Sequence, residues 1–256
     1  MSNVVPVEKK VLSENARIAA ELRERFARSG TLVVNLISAP GSGKTRLLER
    51  TLESLPEGLR VAVLTGDIQT ERDAERLARF GYPVRQITTG GTCHLDASMI
   101  MRHLEGWKLD ELDILFIENV GNLVCPSSYD LGEEAKIVLL SVTEGDEKPL
   151  KYPSIFFKSK LILITKTDLL PYVPFDLAQA RANARSINQT ADIIEVSTER
   201  QEGLMAWMDW LFARKYLRMP QSGGKLIPTG GSPWVVSRSP ETTWEERRAW
   251  RCGRNK

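Results

Sequence analysis

The sequence lacks several things, and each shortage excludes a class of protein. It holds only three cysteines, Cys93, Cys125 and Cys252. That is too few and too scattered for the disulfide framework of a small secreted scaffold, so a reducing, cytosolic compartment is expected. Long apolar runs are missing too: Leu161-Ile162-Leu163-Ile164 is closed by Lys160 and Thr165, far short of the roughly 18 residues a membrane span needs. Residues 1–10 carry charges but no apolar stretch, so neither a secretory signal nor a membrane partner is expected. Net charge is small, +2, but unevenly placed. From Arg214 to Lys256 ten Lys/Arg face three Asp/Glu, a surplus of +7, which leaves the first 213 residues at −5. What remains is ordinary globular composition, 42% hydrophobic and 27% charged, in 256 residues, enough for one ample domain or two small ones.

Three stretches differ in character. Residues 1–30 form an arm in which Val11, Ile18, Leu22 and Phe26 recur at helical spacing before Ser29-Gly30 stops the pattern, which predicts an amphipathic helix covering one sheet edge. Residues 31–215 alternate short apolar runs with charged amphipathic segments. The runs Leu32–Ile37, Val61–Leu64, Val84–Ile87, Ile114–Ile117, Ile137–Val142, Leu161–Ile164 and Ile193–Val196 read as seven buried strands. Continuous apolar strands alternating with helices predict an α/β fold, a mostly parallel sheet with helices on both faces. Ligands of such sheets sit at the carboxyl ends of strands. Residues 216–256 turn to Pro, Gly, Ser, Arg and isolated Trp without period, a basic, disordered tail. Trp234, Trp244 and Trp250 among arginines could touch nucleic acid, but a solvated extension is the simpler reading, and no nucleic-acid partner is expected.

The first strand runs into Ser38-Ala39-Pro40-Gly41-Ser42-Gly43-Lys44-Thr45, with a helix at once behind. Small residues let successive backbone N–H groups turn toward phosphate oxygens, a lysine reaches the β/γ-phosphates, and a hydroxyl serves Mg²⁺. Gly41, Ser42, Gly43, Lys44 and Thr45 supply these parts, although Ser38 stands where the pattern has its leading glycine. Other strand ends complete a nucleotide site. Asp67 is placed to reach the Mg²⁺ shell, Glu118 to hold the metal through water, and Gly121 to bring its N–H to the γ-phosphate. After the sixth strand, Thr165-Lys166-Thr167-Asp168 offers a carboxylate that accepts both guanine donors, which adenine lacks. Lys166 would lie over the base, and Ser197 sits where a base-contacting loop belongs.

Beside these loops, Cys93-His94-Leu95-Asp96 opens a helix containing Ile100 and Leu104, and Cys125 follows Gly121 by four residues. A helix N-terminus would favour the Cys93 thiolate, and thiolate with imidazole suits Zn²⁺, Ni²⁺ or Cu. Spacing alone leaves open whether these cysteines ligate a metal or are small buried apolar residues. His103 reads as an exposed helix residue, Cys252 as a free thiol.

Five segments together resemble the hydrogenase nickel-incorporation GTPases, the HypB family: residues 38–45, Gly-Asp-Ile-Gln-Thr (66–70), Thr-Gly-Gly-Thr-Cys-His-Leu-Asp-Ala (89–97), Phe-Ile-Glu-Asn-Val-Gly-Asn-Leu-Val-Cys-Pro (116–126) and Lys-Thr-Asp-Leu-Leu-Pro-Tyr (166–172). The resemblance spans roughly residues 8–215, and the two cysteine segments are its most specific part. The related urease accessory GTPases, the UreG family, share the phosphate loop but carry a Cys-Pro-His motif absent here. The resemblance implies a SIMIBI-type P-loop GTPase using GTP and Mg²⁺, which dimerises with GTP and delivers Ni²⁺ to the [NiFe]-hydrogenase large-subunit precursor alongside nickel-insertion accessory proteins. It makes Cys93, His94 and Cys125 ligands of a Ni²⁺ or Zn²⁺ site at the dimer interface. This sequence departs from the family's usual pattern at Thr165 (commonly Asn), Gly91 (commonly Lys) and Thr198 (commonly Ala). It also lacks the Cys-rich nickel motif and His-rich tract of some members. The rival classes are a P-loop small-molecule kinase, which would need a lid where these loops look short, and a non-hydrolysing scaffold stabilised by nucleotide.

Overall fold

The computed structural model describes residues 7–67 and 72–217; residues 218–256, with Cys252 and nearly all of the expected tail, lie outside the described residues. Seven parallel strands form one sheet: β1 (Leu32–Ser38), β2 (Val61–Asp67), β3 (Val84–Thr88), β4 (Ile114–Glu118), β5 (Ala135–Ser141), β6 (Leu161–Thr165) and β7 (Asp192–Val196). Their order across the sheet is β3-β2-β4-β1-β5-β6-β7. Every residue of β1, β4 and β6 is buried, because helices cover both faces. The sheet reverses its winding at β1, and the loops after β1, β4 and β5 open side by side at that switch point. Strand β2 runs three residues beyond its apolar stretch, so Gly66 and Asp67, expected just after the strand, are its last residues.

Among the described residues there are eight α-helices, of which α1 and α8 flank the strands and the rest lie in crossovers: α1 (Val7–Ser29), α2 (Lys44–Ser54), α3 (Arg72–Ala78), α4 (Ala97–His103), α5 (Lys148–Lys151), α6 (Pro153–Lys158), α7 (Leu177–Ile187) and α8 (Leu204–Leu217). Helix α1 does not cover a sheet edge. Its Ala19, Leu22 and Phe26 share one apolar cluster with Val33, Ala62, Leu64, Leu115 and Ile117 of the adjacent central strands and with Ile100 of α4. Val11, expected in the buried stripe, is exposed; the stripe begins instead at Asn15, whose polar side chain is buried because it has partners. Its Oδ1 accepts from Ala97 N–H at 2.8 Å and its Nδ2 donates to the Asp130 carbonyl at 2.9 Å. A second cluster on β5 and β6 takes Ile155 and Phe156 of α6 and Ala180 and Ala184 of α7. Helices α2 and α8 are joined by Trp207 Nε1 donating to Thr51 Oγ1 at 2.9 Å. Among the described residues no helix is long and apolar enough to cross a membrane.

Candidate functional site

The loop after β1 supplies the phosphate cradle. Gly41 and Gly43 hold φ of +75° and +96°, values that turn backbone N–H groups inward and that side-chain-bearing residues rarely adopt. Helix α2 starts on Lys44 with Gly43 as its cap and no side-chain capping bond, so its first N–H groups stay free for an anion. Lys44 is buried, and its Nζ donates to Ser38 Oγ at 2.9 Å, which gives the residue at the pattern's leading glycine a partner of its own. Burial lowers the Lys44 pKa against the opposing pull of Glu118, Asp73, Glu144 and Asp67.

Glu118, the last residue of β4, faces the same cradle. Thr45 Oγ1 donates to Glu118 Oε1 at 2.7 Å, while Glu118 Oε2 is buried with no hydrogen-bond partner. Burial pushes this carboxyl up to about 7, with Lys44 and Thr45 pulling the other way. A buried carboxylate oxygen without a partner is costly, and beside a threonine hydroxyl it forms the hard oxygen donor set of Mg²⁺; the residues fit that ion. Gly121 abuts the phosphate loop so closely that a Cβ there would lie 3.1 Å from Pro40 Cα, which explains the glycine.

Ser197 Oγ donates to Asp168 Oδ1 at 2.6 Å, so two residues 29 apart in sequence, both expected at the base, meet as the loops after β6 and β7 converge. Lys166 holds φ +60° and caps the 3-10 helix Thr167–Tyr172. Thr165 is buried and donates from Oγ1 to the Ser42 carbonyl at 2.8 Å, tying the end of β6 to the loop after β1. The loop bearing Thr198 is held by Arg50 Nε on the Thr198 carbonyl at 3.1 Å and by Arg46 on Glu199 at 2.9 Å.

The structure brings Cys93, His94 and Cys125 together: one ligand atom from each lies within 4.8 Å of the others. The two sulfurs are 2.9 Å apart. Helix α4 begins only at Ala97, with Asp96 as its cap accepting from Met99 N–H, so Cys93 lies before the helix, not at its N-terminus. The pKa of its thiol is raised, by the facing Cys125 first and by burial second. Burial holds His94 below the usual histidine range, hence neutral and able to ligate, and its Nδ1 is buried with no partner. A neutral imidazole with an unpartnered nitrogen beside two thiols fits a borderline-soft divalent ion. His103 is half-buried, not exposed, with Nδ1 against the Met99 carbonyl at 2.8 Å. Gly90 and Gly91 both have positive φ, so the lysine common at position 91 in the family would be strained in this turn.

Three residues around these sites had no assigned role in the sequence. Asn122 Nδ2 donates to the Cys93 carbonyl at 3.1 Å, holding the two cysteine loops together. The Tyr129 ring stacks on His94 at 3.8 Å. Glu144 accepts from Ser42 Oγ at 2.5 Å and from Ser141 N–H at 3.2 Å. Its place just after β5, at a carboxyl end, was the signal available.

Residues 32–195 match the family described as CobW/HypB/UreG, nucleotide-binding domain. The hydrogenase maturation factor HypB of Escherichia coli (strain K12) is 50% identical over 208 residues, 81% of this chain and 72% of that protein. The HypB of Azotobacter vinelandii is 47% identical over 220 residues, 85% and 72% of the two chains. The chain belongs to the HypB family. The crystal structure of HypB from Helicobacter pylori in complex with nickel superposes on it with a TM-score of 0.75 at 40% identity, covering 83% of this chain and 100% of the other. The departures at Gly91, Thr165 and Thr198 are thus variations within a HypB-family fold.

Proposed function

We propose that this HypB-family chain is a GTP-hydrolysing nickel metallochaperone that delivers Ni²⁺ during [NiFe]-hydrogenase maturation, as a homodimer whose metal site responds to the nucleotide. The observation that carries this reading is the adjacency of two sites on one segment: Glu118 and Gly121 face the phosphate loop, and Cys125, four residues on, faces Cys93 and His94. Lys44, Asp67, Glu118 and Gly121 act on the γ-phosphate, and Gly41, Ser42, Gly43, Lys44 and Thr45 bind the phosphates. Thr45 and Glu118, with Asp67 through water, would hold Mg²⁺, which supplies charge neutralisation to the phosphates. Three protein ligands leave the nickel shell incomplete, and a second copy of the chain completes it; Zn²⁺ would occupy the same ligands in tetrahedral form. The hydrogenase large-subunit precursor and nickel-insertion accessory proteins are the partners this role requires. Nickel titration of the wild-type chain against Cys93→Ala tests the reading. The variant should lose at least about the tenfold that even an outer-shell defect costs a metal site, with GTP turnover retained; equal affinities would refute it.

Guanine selection rests on Asp168, oriented by Ser197. Its carboxylate accepts two donors from guanine, and an adenine would leave it unpaired. Asp168→Asn should therefore weaken GTP and strengthen xanthosine triphosphate in a nucleotide competition assay. ATP competing equally with GTP on the wild-type chain would show the assignment wrong.

A further inference from the structure

The end of β2 and the turn after β4 converge on one residue of the loop that carries the two ligands, Leu95, next to His94. The Leu95 side chain packs on Gly66, where a Cβ would come within 2.8 Å of its Cδ2. Its backbone N–H donates to Asn119 Oδ1 at 3.3 Å. The same oxygen accepts the Val120 N–H at 3.0 Å, so one acceptor atom serves both the turn that ends at Gly121 and the loop that carries Cys93 and His94.

That atom is held fixed from behind. Asn119 is only 2% exposed, and its N–H donates to the Leu36 carbonyl at 3.0 Å. Its Nδ2 donates to Asn35 Oδ1 at 3.2 Å, and Asn35 Nδ2 donates to Glu133 Oε1 at 3.0 Å. Glu133 is in turn held by Leu131 N–H at 2.7 Å and Lys136 Nζ at 2.6 Å. A polar chain this deeply buried keeps its geometry because every broken bond leaves a desolvated group unpaired.

Resting on the reading of a nucleotide-gated nickel site, we propose that Asn119 is the positioning residue that carries nucleotide state to Cys93 and His94. A γ-phosphate that draws in the Gly121 N–H must turn the adjoining peptides, and with them the Val120 N–H. Asn119 Oδ1 is then left to Leu95 alone, and the metal loop tightens. With GDP the two donors share the oxygen and the loop is held less firmly. Cys125 responds through the chain itself; the opposite pair of ligands responds through this side chain.

The test compares nickel affinity with GDP and with a non-hydrolysable GTP analogue, in wild type and Asn119→Ala. The wild-type ratio should be about fivefold or more and should shrink in the variant to the part that Cys125 carries through the chain. A variant that keeps the wild-type ratio overturns the relay while leaving the gated reading intact. A wild-type ratio of one overturns the gated reading itself. Should Asn119→Ala fail to fold, hydrogen exchange of the Leu95 amide in the wild-type chain decides: slower exchange with the analogue than with GDP supports the relay, and equal exchange overturns it.

Discussion

Lys44→Ala should lower GTP hydrolysis by at least about 10²–10³-fold, the cost of removing one preorganised donor from a developing charge. The lysine is buried among the carboxylates of Glu118, Asp73, Glu144 and Asp67, and burial holds its pKa below that of a free lysine. A cation kept in such a place is poorly solvated, so a phosphate arriving in the cradle gains a partner whose desolvation has already been met by the fold. Its Nζ donates to Ser38 Oγ at 2.9 Å. Alanine would leave that hydroxyl and the Glu118 carboxylate without their cation. Single-turnover phosphate release measures the loss. Nickel bound by nucleotide-free Lys44→Ala should match wild type, since Cys93, His94 and Cys125 lie on other loops. Hydrolysis within tenfold of wild type would remove Lys44 from the transition state.

The strands were legible because each carries its own signal: a strand buried on both faces must be apolar at every position, as Leu161–Thr165 and Ile114–Glu118 nearly are. The phosphate loop was legible because its glycines, lysine and threonine are contiguous. What escaped was polar and non-local. Asn15, Asn35, Asn119 and Glu133 are buried polar residues that each have a partner 24 to 115 positions away, and nothing at an asparagine's own position announces that its bonds are satisfied. Spacing likewise set Cys93 at a helix start, because Asp96 and the apolar residues after it suggest one. The cap falls on Asp96 itself, and Cys93 lies between it and the turn at Gly90-Gly91. The stripe of α1 was misread at Val11 for the same reason: the pattern admits only apolar residues, whereas the helix buries Asn15 against two backbone partners.

That arm is part of the core, and Phe26→Ala should therefore cost about 3–5 kcal/mol of stability, as truncation of a buried aromatic does. Phe26 is 1% exposed in the cluster that also holds Leu22, Leu104, Leu109 and Leu115. The helix is clasped from a second side by the loop entering β5. A Cβ on Gly132, whose φ is +77°, would lie 2.7 Å from Leu22 Cβ, so the loop can press this closely only as glycine. The surface pair between Arg23 of the same helix and Asp130 of that loop is nearly half exposed on both sides and should contribute under about 1 kcal/mol. Arg23→Ala is thus the matched control. Urea unfolding of the two variants gives both values. The site would feel the loss too, because Asn15 joins Ala97, just after the metal loop, to Asp130, next to the Tyr129 ring that stacks on His94. Nickel affinity should fall in Phe26→Ala as the arm loosens, and hold in Arg23→Ala. A Phe26→Ala cost below about 1 kcal/mol would show α1 to be an appendage that the sheet does without.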